Sequence, residues 1–257
     1  MTHSAFIVRR HDRVHVAPEA ALQIVSCGDP LPQAKAVRAW LEAGLPLVAA
    51  RQPEVADGHV VLGLTLPPGS AVRRIGVRVL AASIRQVEPA LTVARCAALL
   101  PATLRVPLLR LAEALRALGV RVGVYGSLAW QVTSGQAYWR DGGREPSDID
   151  LICDVPGNVP DAGQLSACID RLAALDAALP LRIDGEIRLG GTRAVAWREL
   201  LAARGRCDVQ VLVKGERRVW LSTVDAFVNG HEPEHEHAHE HEPARQRSSR
   251  ELADADA

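Results

Sequence analysis

The sequence predicts an α/β (α+β) chain: a smaller N-terminal α/β domain, then a mixed sheet with flanking helices. Three observations predict it. Short β-branched runs surround a single amphipathic stretch, "PQAKAVRAWLEAG", in the first ~90 residues. From residue 98 on, leucines at helical spacing alternate with apolar runs such as "VRVGVY" and "DIDLICDV", the pattern of helices packed on a sheet. Hydrophobic residues make up 48% of 257, enough for a sizeable core. The expected division is residues 1–95, 96–224 and a disordered His/Glu-rich tail, 225–257.

In order along the chain, "AFIVRR" and "RVHVA" read as strands around a turn at His11-Asp12. "PQAKAVRAWLEAG" reads as a helix stopped by Gly44. "LPLVAARQ", "HVVLGLTLP" and "RRIGVRVL" read as strands, with a break at Pro67-Pro68-Gly69. Leu104, Leu108, Leu111, Leu115 and Leu118 form a helical stripe that Gly119 can cap. "VRVGVYGS" is then a strand, "LAWQVTS" a helix stopped by Gly135, "AYWRDGGREPS" a polar loop and "DIDLICDV" a strand. Leu165, Ile169, Leu172, Leu175 and Leu179 mark another helix. "LRIDGEIRL" alternates around a central Asp-Gly, a hairpin signal. "AVAWRELLAARG" reads as helical, and "CDVQVLVKG" and "RVWLS" as paired strands.

Composition excludes several classes. No run approaches 18 uninterrupted apolar residues, so no membrane span is expected. The first residues, "MTHSAFIVRRHDRVH", lack an apolar signal segment. Cys27, Cys96, Cys153, Cys168 and Cys207 are scattered, which fits reduced thiols in a cytoplasm rather than a zinc cluster or a disulfide framework. The net charge of zero divides into −5 for residues 231–257 and +5 for the rest. That is a body suited to an anionic ligand and too weakly basic to argue for nucleic acid. Five of the nine histidines lie in the tail, where a solvated segment with incidental metal affinity is expected.

The chemistry concentrates between residues 124 and 155. Residues i and i+2 of a strand share a face, so Asp148 and Asp150 project together while Ile149 and Leu151 turn to the core. Two adjacent carboxylates repel unless something neutralises them. A divalent cation does so, and Mg²⁺ favours a few carboxylates plus water and phosphate oxygens. Gly126-Ser127 ends the preceding strand and opens a helix, where free N–H groups favour phosphate and glycine admits a ligand to the backbone. A metal site and a phosphate cradle on neighbouring strands amount to a clamp for Mg²⁺ and a triphosphate.

Apolar-Gly-Ser, a helix, then Asp-apolar-Asp-apolar resembles the nucleotidyltransferase fold typified by DNA polymerase beta. That resemblance implies two metal ions and attack on the α-phosphate of a triphosphate. Twenty residues separate Ser127 from Asp148, more than is usual there, so the loop between them is expected to be an insertion that contacts substrate. More specifically, "GVYGSLAWQVTSG", "SDIDLICDV", "RIDGEI", "AVAWREL" and "VLVK" occur in the order found in the phosphoribosyl-dephospho-CoA transferases, the holo-acyl-carrier-protein synthases of malonate decarboxylase. "RRHDRVHVAP" and "AWLEAGLPLVAARQ" resemble the same family, so the likeness spans about residues 6–222. It implies a 2′-(5″-triphosphoribosyl)-3′-dephospho-CoA donor. It also implies a serine of the small acyl carrier protein as acceptor, a phosphodiester product and release of pyrophosphate. The N-terminal domain would help to bind donor or carrier.

The resemblance to the nucleotidyltransferase fold also implies a third carboxylate on the strand after the next helix. Asp184 and Glu186 of "LRIDGEI" are the candidates there, and Glu186 or Asp208 of "CDVQVLV" serves instead if Asp184-Gly185 is only a turn. Lys214, one of just two lysines, is either a solvated strand end or a phosphate contact. Trp130, Trp139 and Trp197 fit packing better than base stacking, with Trp139 the best placed for adenine. Arg9, Arg10 and His11 are either an exposed basic turn or a contact to a CoA phosphate. Two other functions compete: transfer of AMP to a small molecule or protein, and a non-catalytic nucleotide sensor. Intact Asp148, Asp150 and Gly126-Ser127 disfavour the sensor.

Overall fold

The computed structural model describes residues 6–70, 72–139, 147–157, 160 and 162–232. In chain order, β1 (Arg13–Val16) and β2 (Gln23–Ile24) precede helix α1 (Pro30–Glu42), and β3 (Leu47–Ala49), β4 (His59–Thr65), β5 (Arg74–Leu80) and β6 (Ile84–Glu88) follow it. These strands form an antiparallel sheet in the order β2-β5-β4-β3-β1-β6. The Asp29 carboxylate accepts from the Leu31 N–H at 2.9 Å, and Pro30 occupies the first turn, where its missing N–H is not needed. Gly44 ends the run at φ 73°, a left-handed conformation that glycine adopts without strain. Helix α1 buries Val37, Trp40 and Leu41 with Val14, Leu47, Leu62 and Val77 of the sheet.

The second sheet begins at β7 (Leu91–Thr92). Then come α2 (Val93–Cys96), α3 (Ala102–Arg116), β8 (Arg121–Tyr125), α4 (Gly126–Ser134), β9 (Ile149–Val155), α5 (Ala162–Ala178), β10 (Ile183–Leu189), β11 (Arg193–Ala196), α6 (Trp197–Ala202), β12 (Gln210–Gly215), β13 (Val219–Thr223) and α7 (Val224–Asn229). The strand order is β13-β12-β11-β10-β9-β8-β7. Among the described residues only β9 and β10 pair parallel, joined by the crossover helix α5. Strand β9 is buried on both faces, as a strand covered by helices must be, so Ile149, Leu151, Ile152, Cys153 and Val155 are all core residues.

This is a mixed α/β architecture of two sheets with helices, and most elements fall where the sequence places them. Five expectations need correction. Residues 6–10 form no strand; His11 takes φ 70° and the Asp12 carboxylate accepts from the Arg9 N–H, making a turn that precedes β1. "LRIDGEIRL" is one continuous strand, not a hairpin. Gly185 is needed there because β9 runs so close that a Cβ would overlap the Leu151 carbonyl oxygen. The chain reverses instead after Leu189 at Gly190-Gly191, and "AVA" then pairs with β10 as β11, so only its continuation is helical. Leu91-Thr92 hydrogen-bonds into the second sheet, not the first. Val224–Asn229 is helical, capped by the Thr223 hydroxyl, where a disordered tail was expected from 225. The His-rich tail beyond 232 and the loop 140–146 lie outside the described residues.

The two sheets pack on each other through Trp130 and Tyr138, which join the hydrophobic cluster of the first sheet. Trp130 meets Trp40 edge-on at 5.5 Å, and the Tyr138 hydroxyl donates to the Thr65 carbonyl at 2.8 Å. Among the described residues no helix is long and apolar enough to cross a membrane.

Candidate active site

Strand β8 runs antiparallel to β9, and β10 runs parallel to it, so the end of β8 and the starts of β9 and β10 share one edge of the sheet. Register places Tyr125, Asp150 and Asp184 side by side across the three strands. Asp148 lies two residues before Asp150, just outside β9. Sheet topology thus gathers Asp148, Asp150 and Asp184 at the mouth of the turn that carries Gly126 and Ser127.

Gly126 sits at φ 69°, and a Cβ there would overlap Oδ2 of Asp150 and stand 2.8 Å from its Cγ. Glycine is therefore required twice, by the backbone and by the carboxylate packed on it. The Ser127 hydroxyl hydrogen-bonds the Ser147 hydroxyl, tying the start of α4 to the residue before Asp148. Trp139 is buried, not an exposed platform. Its indole N–H donates to the Ser147 carbonyl at 2.8 Å, and its backbone N–H donates to Gln131 Oε1 on α4 at 2.9 Å. The indole thus fixes the entry to β9, and an adenine cannot stack on it.

Burial pushes the Asp150 carboxyl up to about 7, reinforced by Asp184, then Asp148, then Glu186; Arg182 opposes the shift. Arg182 stands between the two outer carboxylates, 3.7 Å from Asp148 Oδ2 and 3.7 Å from Asp184 Oδ2. Asp184 also accepts from the Gly185 N–H at 2.8 Å. One guanidinium facing three carboxylates leaves an excess of negative charge that suits a hard cation. Among the described residues no three His, Cys, Asp or Glu side chains converge to enclose an ion.

Glu186 shares its strand face with Asp184 but has other partners. Buried two residues deeper, it accepts from Arg10 Nη2 at 3.1 Å and Lys214 Nζ at 2.8 Å, and His11 Nε2 lies 3.5 Å from its second oxygen. Burial alone would raise its carboxyl, but His11, Arg10 and Lys214 outweigh that and hold it well below the usual range. Lys214 is thus an ion-pair partner of Glu186. Asp208 is exposed in the turn before β12, with β11 between it and β10.

The Arg9-Arg10-His11 segment is fastened to the second sheet rather than exposed. Arg188 forms a bidentate pair with Asp154 at 2.5 and 2.9 Å, and its Nη1 donates to the Arg10 carbonyl at 2.7 Å. The His11 ring stacks on Tyr125 at 4.0 Å. Arg182 and Tyr125 escaped the sequence reading. Arg182 had a signal, being two residues before Asp184 and hence on its face of the strand; Tyr125 had none beyond preceding Gly126.

Residues 90–225 match the model of the phosphoribosyl-dephospho-CoA transferase MdcG C-terminal domain, and residues 9–90 match that of its N-terminal domain. A phosphoribosyl-dephospho-CoA transferase of Xanthomonas euvesicatoria pv. vesicatoria is 32% identical over 209 residues, covering 81% of this chain and 91% of the relative. One of Bradyrhizobium diazoefficiens is 29% identical over 222 residues, covering 86% and 92%. No solved structure matches the chain. Both halves of the chain, with the carboxylate row in one and the His11 segment in the other, fall within a single two-part family, and the protein belongs to it: it is a transferase of the phosphoribosyl-dephospho-CoA transferase family.

Proposed function

We propose that the protein transfers phosphoribosyl-dephospho-CoA from 2′-(5″-triphosphoribosyl)-3′-dephospho-CoA to a serine of the malonate decarboxylase acyl carrier protein, on a nucleotidyltransferase-type site. The observation that carries the reading is Gly126 packed against Asp150, with Asp148 and Asp184 alongside. A phosphate cradle and a carboxylate row there occupy the same few ångströms. Asp148 and Asp150 would hold Mg²⁺, one ion or two, which supplies charge neutralisation for the triphosphate. The free N–H groups at the start of α4 and the Ser127 hydroxyl receive phosphate oxygens. The serine oxygen bonds to the α-phosphorus, the bond to the β-phosphate oxygen breaks, and pyrophosphate leaves with the electron pair. Asp184, half-exposed at the strand end, is placed to accept the hydroxyl proton. Glu186, ion-paired with Arg10 and Lys214 and next to His11, positions the His11 segment and does not touch the reacting atoms.

The test is to incubate apo-carrier protein with enzyme, Mg²⁺ and either this donor or ATP, and to weigh the carrier by mass spectrometry. The donor should add its phosphoribosyl-dephospho-CoA mass and ATP should add nothing; an AMP adduct would establish adenylyl transfer instead. Asp150→Asn should lower the rate at least ~10²-fold while folding normally, since metal-stabilised charge contributes several kcal/mol. Near-native turnover in that folded variant would remove the carboxylate row from the chemistry.

A further inference from the structure

A cleft of about 430 Å³ opens between α4 and the face of the first sheet, starting at Gly126. That volume lies in the range of small-molecule sites. One wall is a single helical face, Gly126, Ala129, Trp130 and Thr133, at i, i+3, i+4 and i+7. The other is built by Val48, Gly63, Thr65 and Arg74, which register places on one face of β3, β4 and β5.

Gly63 is the informative residue. It lies inside β4, where glycine weakens a strand. Its φ is not in the left-handed region, and a Cβ built on it meets nothing closer than the Val48 carbonyl at 3.8 Å. Neither backbone conformation nor packing requires glycine there. What its missing side chain does is keep the cleft open. Ala129 keeps the facing helix low in the same way.

The polar groups of the cleft are few. Arg13 is taken up by Glu88 and by the Pro89 carbonyl. Arg74 makes no ion pair or hydrogen bond among the described residues, nor do the hydroxyls of Thr65 and Thr133. An apolar slot with the hydroxyls of Thr65, Thr133 and Tyr125, the His11 ring and one free guanidinium does not suit a triphosphate, which needs several positive charges. It suits a flat, weakly polar group with a phosphate at its far end.

We infer that this cleft holds the adenosine of a dephospho-CoA-type nucleotide, with Arg74 on the 5′-diphosphate and the 2′-ribosyl triphosphate leading out to Gly126. The inference rests on the donor assignment above for the ligand's identity. Apart from Gly126, where the cleft meets the proposed cradle, its geometry uses residues that take no part in the phosphoryl transfer. The first sheet thereby becomes half of the donor site.

The probe is dephospho-CoA itself, which lacks the triphosphate, titrated calorimetrically without Mg²⁺. Wild-type protein should bind it. Gly63→Leu, which fills the slot, should weaken binding at least ~10-fold while tripolyphosphate with Mg²⁺ binds as in wild type. Arg74→Gln covers the case in which Gly63→Leu does not fold. It should weaken dephospho-CoA at least ~10-fold, the loss of a charge-assisted hydrogen bond, yet leave the affinity for adenosine unchanged. Dephospho-CoA binding equally well to every folded variant would overturn the inference, as would no binding to wild type. Failure of the transferase reading looks different: dephospho-CoA would still bind through the cleft, but the carrier would gain no mass.

Discussion

Replacing Gly126 by alanine tests the site at its tightest point. Two costs follow from the structure. An alanine at φ 69° pays roughly 1–2 kcal/mol for the left-handed conformation. Its methyl also overlaps the Asp150 carboxylate, so either that side chain swings aside or the start of α4 lifts from β9. Either movement is on the order of 1 Å, and misplacement of that size costs about 10²-fold in rate. The expected outcome is a folded protein, ~1–2 kcal/mol less stable by urea unfolding, whose turnover on carrier protein falls about 10²-fold. Ser127→Ala is the milder comparison. It keeps the backbone and loses the hydroxyl's pair with Ser147 and its proposed bond to phosphate, a net ~0.5–1.5 kcal/mol for a neutral partner. If Gly126→Ala folds and turns over like wild type, the contact between Gly126 and Asp150 plays no part in catalysis and the proposed cradle is wrong.

Glu186→Gln should destabilise by about 3–5 kcal/mol, because Arg10 and Lys214 lose their shared buried counter-charge; an unchanged urea midpoint would contradict the hub. Since the folded carboxyl of Glu186 is held below its unfolded value, its contribution is present above pH ~4.5 and fades as pH falls. Wild type should therefore lose more stability than Glu186→Gln between pH 6 and pH 3. Trp139→Phe removes the indole donor to Ser147 and should cost ~0.5–1.5 kcal/mol, with a larger proportional loss in turnover than in stability because Ser147 leads into Asp148. Chelating Mg²⁺ should abolish transfer and leave the far-ultraviolet circular dichroism unchanged, because the carboxylate row is carried by strands whose pairing needs no ion.

The sequence made Asp148, Asp150 and Gly126 legible because each carries a local physical conflict. Two like charges in an apolar strand and a glycine between strand and helix both ask for a reason. The Leu104-to-Leu118 stripe was legible because its period matches the helix. The Asp184-Gly185 dipeptide misled because its local signal is that of a turn, whereas the glycine answers a long-range demand, the Leu151 carbonyl of the neighbouring strand. Trp139 misled for a similar reason: its polar loop surroundings concealed that Gln131 and Ser147 converge on it from two other elements. Contacts between residues ~176 positions apart, such as Arg10 with Glu186, leave no trace in either local sequence.

The division of labour along β10 explains why two carboxylates that share a strand face are not interchangeable. Asp184 lies at the sheet edge in register with Asp150, where solvent and Arg182 reach it. Glu186 lies two residues further in, where water does not reach and a lone carboxylate would take up a proton. Arg10 and Lys214 keep it ionised with His11 beside its second oxygen, and Arg10 and His11 belong to the turn before β1. That turn is held in addition by Arg188 on the Arg10 carbonyl, and His11 lies flat on Tyr125, the residue that precedes Gly126. Charge thus locks the first sheet onto the second immediately beside the proposed phosphate cradle. The cleft facing α4 lies directly beside that lock, with His11 in its lining between the α4 wall and the wall of the first sheet. Releasing the lock should therefore weaken donor binding before it weakens the carboxylate row, which β8, β9 and β10 carry by themselves.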